Sequence, residues 1–306
     1  MTLFFSRRGY DGTKHRFTKN PSKDTYYLAP TNPKNVTKKD VISQKDWLAK
    51  VKAQAHSRDI TIFVHGYNTA QSEMLARTAK IEAGLRRHGY RGAVIGFDWP
   101  SDGRGTLVSY ARDRKDAKRT AASLVEDGIL PLLTLAPRHR INLIAHSMGA
   151  YLTLRGFSGF NDASGPGASV WKTNQILFVS GDADQDWMSK GAWGALVLAH
   201  RSRRFTNYFS QLDDILNGAV VLNGGAKRVG RSGIKPLIHK NHVDIYSHEQ
   251  YLKDVKLQDR TALNSHRWWF DNDKFYHDAA LTLAGQDAQS MPTRRKMNTT
   301  DLALLS

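Results

Sequence analysis

The stretch Arg140-Ile141-Asn142-Leu143-Ile144-Ala145-His146-Ser147-Met148-Gly149-Ala150 decides the fold. Its first half is an apolar run of strand length. Beyond it, Tyr151, Leu152, Leu154 and Arg155 fall at spacings that a helix accepts. Between the two halves, Ala145-His146-Ser147-Met148-Gly149 has the form small-x-Ser-x-small. A serine at a strained strand-to-helix turn lifts its hydroxyl clear of a sheet, and small residues two before and two after let strand and helix close on that turn. The helix start then offers backbone N–H groups to a developing oxyanion. Ser-x-Gly after a small residue is common by itself; the flanking strand and helix patterns give it weight.

The same alternation extends in both directions. Upstream, residues 59–64 read as a buried strand ending in His65-Gly66-Tyr67-Asn68. A helix follows with Met74, Thr78, Ile81 and Leu85 on one stripe. Residues 93–97 form the next strand, and residues 106–135 one helix or a broken pair. Downstream come a Gly/Ser/Pro/Asn loop at 159–167 and strands at 175–179, 204–209 and 243–246. Residues 187–200 and 274–284 read as helices. This order predicts an α/β architecture, a mostly parallel central sheet flanked by helices on both faces. Residues 1–40, polar and with three prolines, read as an irregular N-terminal arm with one short strand at 25–28. Residues 41–286 read as a single domain, opened by a helix capped at Ser43 with Trp47, Leu48, Val51 and Ala55 on one face. Residues 287–306 read as a polar C-terminal tail.

Composition bounds the chemistry. The 306 residues are 40% hydrophobic and 24% charged, enough for a substantial core. With no cysteine, disulfides, thiolate metal sites and a cysteine nucleophile are excluded. The N-terminal residues have no continuous apolar stretch of a signal peptide, and no apolar run is long enough to span a membrane, so a cytoplasmic protein is expected. The net charge of +17 favours peripheral attraction to anionic surfaces, but the basic residues are scattered and no specific nucleic-acid partner is expected.

A serine needs a base within hydrogen-bond reach and a third group to orient that base. In open α/β sheets such groups lie beyond the carboxyl ends of strands, and in the order Ser, acid, His when the nucleophile sits on an elbow of this kind. Asp213 ends a short turn beyond the strand at 204–209, ahead of Ile215-Leu216, and is the expected acid. Asp182, in Gly181-Asp182-Ala183-Asp184-Gln185-Asp186, is the alternative. His266 lies in Asn264-Ser265-His266-Arg267-Trp268-Trp269-Phe270, read as a loop that brings a mobile base over Ser147. The N–H groups of Met148 and Tyr67 are the expected oxyanion donors. Asn68, Trp99, Tyr151, Trp268 and Trp269 are the expected substrate-pocket residues, although core packing explains the tryptophans of the triplet equally well. His239-x-x-His242 has no helix to align it as a ligand pair, so neither a metal nor a cofactor is expected. Gly103-Arg104-Gly105 is too short of glycines for a phosphate loop.

Taken together, Ile62-Phe63-Val64-His65-Gly66-Tyr67-Asn68-Thr69, Phe97-Asp98-Trp99-Pro100-Ser101, Ala145-His146-Ser147-Met148-Gly149, Asp182-Ala183-Asp184-Gln185-Asp186 and Ser265-His266 resemble the α/β-hydrolases of unknown function grouped as the DUF900 family. The resemblance covers roughly residues 58–284. It implies an α/β-hydrolase fold and hydrolysis of carboxyl esters by a Ser-Asp-His triad, with Ser147 as nucleophile and His266 as base. The Ser-x-x-Asp turn of that family matches Ser210-Gln211-Leu212-Asp213. Two positions depart from the family's pattern: Asp98, where serine is common before Trp-Pro, and Ser180-Gly181, where Ala-Pro usually precedes the first aspartate.

The expected activity is therefore a serine hydrolase that cleaves a small-molecule ester through an acyl-enzyme. A lipase, thioesterase or peptidase would use the same triad. The competing expectation is a hydrolase-fold module that binds anionic membrane or nucleic acid through its charge.

Overall fold

The structure, a computed structural model, describes residues 1–101, 107–135, 137–159, 171–297 and 301–305. Gly103-Arg104-Gly105 and nearly all of the loop read at 159–167 lie outside the described residues. The strands are β1 (Phe4–Asp11), β2 (Arg16–Leu28), β3 (Val41–Ile42), β4 (Asp59–Val64), β5 (Ala93–Asp98), β6 (Arg140–His146), β7 (Thr173–Val179), β8 (Ser202–Phe209), β9 (His242–Tyr246), β10 (Arg294–Lys296) and β11 (Leu302–Leu304). They form an 11-stranded sheet in the order β10-β11-β9-β8-β7-β6-β4-β5-β1-β2-β3. Every pairing from β11 across to β1 is parallel; β2, β3 and β10 run antiparallel to their neighbours at the two edges.

The central strands are continuous apolar runs because both of their faces are covered. All residues of β4, β5 and β7 are buried. Ile62, Val64, Ile95, Leu143 and Phe178 face one apolar layer, where the helix Gln44–Gln54 docks through Trp47 and Val51. Phe63, Val94, Ile144, Leu177 and Ile245 face the other, built on the helices Gln71–Arg87 and Asp273–Ala284. Each such side chain stabilises the fold by roughly 1.5–3 kcal/mol on burial. Ser43 caps its helix as expected, accepting from the N–H of Asp46 at 3.1 Å.

Both ends of the chain correct the expectations. The N-terminal residues are not an irregular arm: β1 and β2 make a hairpin, and β1 pairs with β5 in the body of the sheet. Phe4 and Phe5 alternate into the two apolar layers. Ser6 and Arg8 of β1 are polar because they meet the buried carboxylate of Asp98, and β2 is polar because it lies near an edge. The tail beyond residue 286 likewise adds β10 and β11, with β11 parallel to β9 and Leu302, Ala303 and Leu304 buried. His266 is also not in a loop. It lies in the short helix Ala262–Arg267, capped by Thr261, whose side chain accepts from the N–H of Asn264 at 3.1 Å. Among the described residues, no helix is long and apolar enough to cross a membrane.

Candidate active site

β6 ends at His146, and the helix Met148–Ser158 begins immediately after Ser147. Ser147 itself has φ 54° and ψ −124°, a left-handed conformation that L-residues avoid. The turn is fixed by its backbone: the N–H of Ser147 donates to Val179 at 3.1 Å, and its carbonyl accepts from Ala150 and Asp182 at 3.0 and 2.9 Å. Two glycines make the closeness achievable. A Cβ on Gly149 would lie 2.4 Å from the carbonyl oxygen of Val64, so only glycine lets this helix sit on β4. A Cβ on Gly66 would lie 2.7 Å from the Cβ of Ser147 and 3.2 Å from its Oγ, which puts the loop after β4 against the hydroxyl.

Asp213 and His266 are a buried pair. The carboxylate receives the imidazole Nδ1 at 2.8 and 3.0 Å, and one of its oxygens also accepts from the N–H of Leu216 at 2.9 Å. Asp213 thus caps the helix Asp214–Leu222 and holds His266 at the same time. Ser265 ties the two segments together: its hydroxyl accepts from the N–H of Asp214 at 3.1 Å and donates to Ala262 at 2.8 Å. The pair reaches the elbow through His146, whose Nε2 lies 3.1 Å from the carbonyl oxygen of His266, the two rings 4.6 Å apart. Because a carbonyl can only accept, Nε2 of His146 carries the proton. Burial, then the neighbouring His266 and Arg77, hold His146 well below the ordinary histidine range, so it stays neutral. His146 was not singled out by the sequence, since nothing in an elbow motif says which way its second residue points.

The alternative acid and the expected pocket aromatics have partners of their own. Asp182 is engaged by Arg228 Nε at 2.7 Å and by the hydroxyl of Tyr110 at 2.7 Å, away from His266. Trp99 is fully buried beneath the loop after β4: its ring stacks on His65 at 5.0 Å and its N–H donates to the carbonyl of His65 at 2.8 Å. Trp268 and Trp269 pack inward with Phe275 and Tyr251, and Trp269 donates to Ser180 Oγ at 2.9 Å. These three are core, not a pocket wall; aromatic residues beside His266 anchor its segment. Tyr151 is buried too, with the guanidinium of Arg114 3.9 Å over its ring. Asn68 stays half-buried at φ 54°, its N–H donating to Asp113 at 3.3 Å, and Tyr67 bonds Ser109 through its hydroxyl at 2.8 Å.

Behind that loop stands a polar cluster that crosses from the N-terminal hairpin. Arg8 donates to Asp98 at 2.7 Å, to the carbonyl of Ser101 at 3.1 Å and to the carbonyl of Thr69 at 2.9 Å. Ser6 and Gln71 also donate to Asp98, at 2.9 and 2.8 Å. Burial alone would raise the carboxyl pKa of Asp98, but the charge of Arg8 and the nearby His65 outweigh it and hold it well below the usual range. A depressed folded pKa gives stability that is present above the unfolded carboxyl value and lost as the pH falls towards the folded one. Asp98→Asn is therefore expected to cost about 3–5 kcal/mol at pH 7, because it strands a buried guanidinium. Urea titrations of both proteins should show the gap narrowing as the pH drops below about 4; a gap that widens there contradicts the assignment.

The family comparison agrees with this architecture. The sequence profile of the family described as alpha/beta hydrolase of unknown function (DUF900) matches residues 40–284. An uncharacterized protein of Nostoc sp. (strain PCC 7120) is 29% identical over 153 residues, covering 42% of this chain; the match spans only 38% of that longer relative. Among solved structures, a lipase-esterase related protein from Clostridium acetobutylicum is similar at 14% identity over 63% of this chain and 75% of its own, with a TM-score of 0.24. A metagenomic carboxyl esterase is similar at 15% identity over 63% of this chain and 50% of its own, with a TM-score of 0.25. The β1–β2 hairpin that supplies Ser6 and Arg8 lies outside the family match, and these residues serve Asp98, which lies within it.

Proposed function

Since the chain belongs to the DUF900 family of α/β-hydrolases, we propose that it is a serine hydrolase acting on carboxyl esters, with Ser147 as nucleophile, His266 as base and Asp213 as orienting acid. The observation that carries this reading is the Asp213–His266 pair, brought against the residue next to a serine held at positive φ. The carboxylate at Nδ1 keeps the imidazole proton there, leaving the Nε2 lone pair to accept from the Ser147 hydroxyl. The alkoxide oxygen adds to the acyl carbon. The resulting oxyanion takes hydrogen bonds from the N–H of Met148, at the first turn of its helix, and from the N–H of Tyr67. Collapse expels the alcohol, protonated by His266, and water, activated by the same base, releases the acid.

The direct test is mass spectrometry of the intact protein after a fluorophosphonate probe, beside rates on p-nitrophenyl esters of increasing chain length. One adduct on Ser147 and measurable ester turnover are expected. An unlabelled protein that instead binds anionic vesicles or nucleic acid with steep salt dependence would overturn the reading in favour of a binding module.

The position of Gly66 gives a second check. In Gly66→Ala the new methyl must displace either Ser147 or the loop that carries Tyr67, and a shift of about 1 Å at a reacting centre costs about 100-fold in rate. The fall is expected in kcat, with the far-ultraviolet circular dichroism spectrum unchanged.

A further inference from the structure

A cavity of about 750 Å³, lined by none of Ser147, Asp213 and His266, opens between the ends of β8 and β9 and the segment that follows Ser232. That volume lies inside the range of roughly 300–1,000 Å³ typical of small-molecule sites. Phe209, Ile234, Ile238, Tyr246 and Leu302 give it apolar walls. Its charged lining is Asp244, Glu249 and Asp301 against one lysine, Lys190. In a chain of net charge +17 this is a local reversal of sign.

Asp244 is 8% exposed and holds its carboxylate among neutral donors: the Asn207 amide at 2.7 Å and the N–H of Ile234 at 2.8 Å. Burial pushes its pKa up to about 7; those two donors pull the other way, and Asp301 adds to the rise. Asn207 pairs with Asp244 in register across β8 and β9, and its own side-chain carbonyl is buried without a hydrogen-bond partner. Asp244, a desolvated acid held only by neutral donors, therefore lines the cavity where a cationic donor would be stabilised. Glu249 is already ion-paired with Arg295, whereas the Asn207 and Ile234 donors on the Asp244 carboxylate are both neutral, which leaves its charge for a ligand to neutralise.

We propose that this cavity binds an amphipathic organic amine, its ammonium on Asp244 and its hydrocarbon body against the apolar walls. The site is separate from the hydrolytic reading and does not depend on it. An anion is disfavoured by the acids, and a purely apolar ligand would leave Asp244 desolvated without gain.

The test is calorimetric titration of the full chain with 2-phenylethylamine and with 2-phenylethanol, which differ in the charged group. Saturable binding of the amine is expected, with the alcohol at least tenfold weaker. Asp244→Asn should weaken the amine by about 10–100-fold, the worth of a hydrogen bond to a charged group, and leave the alcohol unchanged. Should Asp244→Asn not fold, Lys190→Glu supplies the second reading. It changes an exposed residue at the rim, and should tighten the amine about threefold at low salt without moving the alcohol. Equal binding of amine and alcohol, amine binding indifferent to both substitutions, or no binding of either ligand overturns the proposal.

Discussion

Ser147→Ala is expected to lower kcat for ester hydrolysis by about 10⁶-fold, the scale on which loss of the nucleophile acts in a triad, and to abolish fluorophosphonate labelling. The structure makes this substitution unusually clean. Ser147 holds its turn through its backbone, by way of Val179, Ala150 and Asp182, and alanine keeps every one of those bonds. The strain at φ 54° is no greater for alanine than for serine, so the melting temperature should stay within about 2 °C, given that 1 kcal/mol moves a large domain by only a few degrees. Any residual catalysis is expected from the proposed oxyanion donors and substrate positioning, which the substitution leaves in place. Turnover that survives Ser147→Ala at more than a hundredth of the original rate would place the nucleophile elsewhere.

Much of the central architecture could be read from the chain because its strands are buried on both faces and therefore spell continuous apolar runs. The span of β4 agrees residue for residue with the reading, and β5, β7, β8 and β9 differ by a residue or two at their ends. The elbow was legible for a related reason: a serine between small residues matters only where strand and helix close together, and the Cβ contacts at Gly149 show that closeness. The hairpin and the C-terminal strands were not legible. Edge strands escape strict alternation, and the buried polar positions of β1 make sense only beside Asp98, 90 and 92 residues away in sequence. Trp99 is core rather than pocket wall, and for Trp268 and Trp269 the core alternative holds, because an aromatic side chain near a functional residue has no local signal for which way it faces. His146 carries the opposite lesson. It is a polar residue whose position inside the motif hid a contact with His266 that only the folded chain displays.

Asp213→Asn should cut kcat by about 10⁴-fold with little change in KM, while Asp182→Asn leaves the turnover of the folded protein within a few-fold of the original. Each aspartate follows a strand and each is buried, so the two look alike in sequence; their partners separate them. Asparagine at 213 can still cap Leu216 through its carbonyl oxygen, so the helix Asp214–Leu222 persists. It presents either an amide N–H to Nδ1, which drives the imidazole proton to Nε2 and blocks acceptance from Ser147, or a neutral oxygen that no longer balances the imidazolium. Asparagine at 182 has another consequence. It removes one of the two carboxylates on Arg228, a guanidinium with no solvent exposure that Asp184 still pairs, and should cost about 1.5–3 kcal/mol of stability by urea unfolding. The pair of variants thus forms a cross: one loses rate and keeps stability, the other loses stability and keeps rate. Were the rate lost at 182 and kept at 213, the orienting carboxylate would belong to the turn after β7, and the Asp213–His266 contact would be structural.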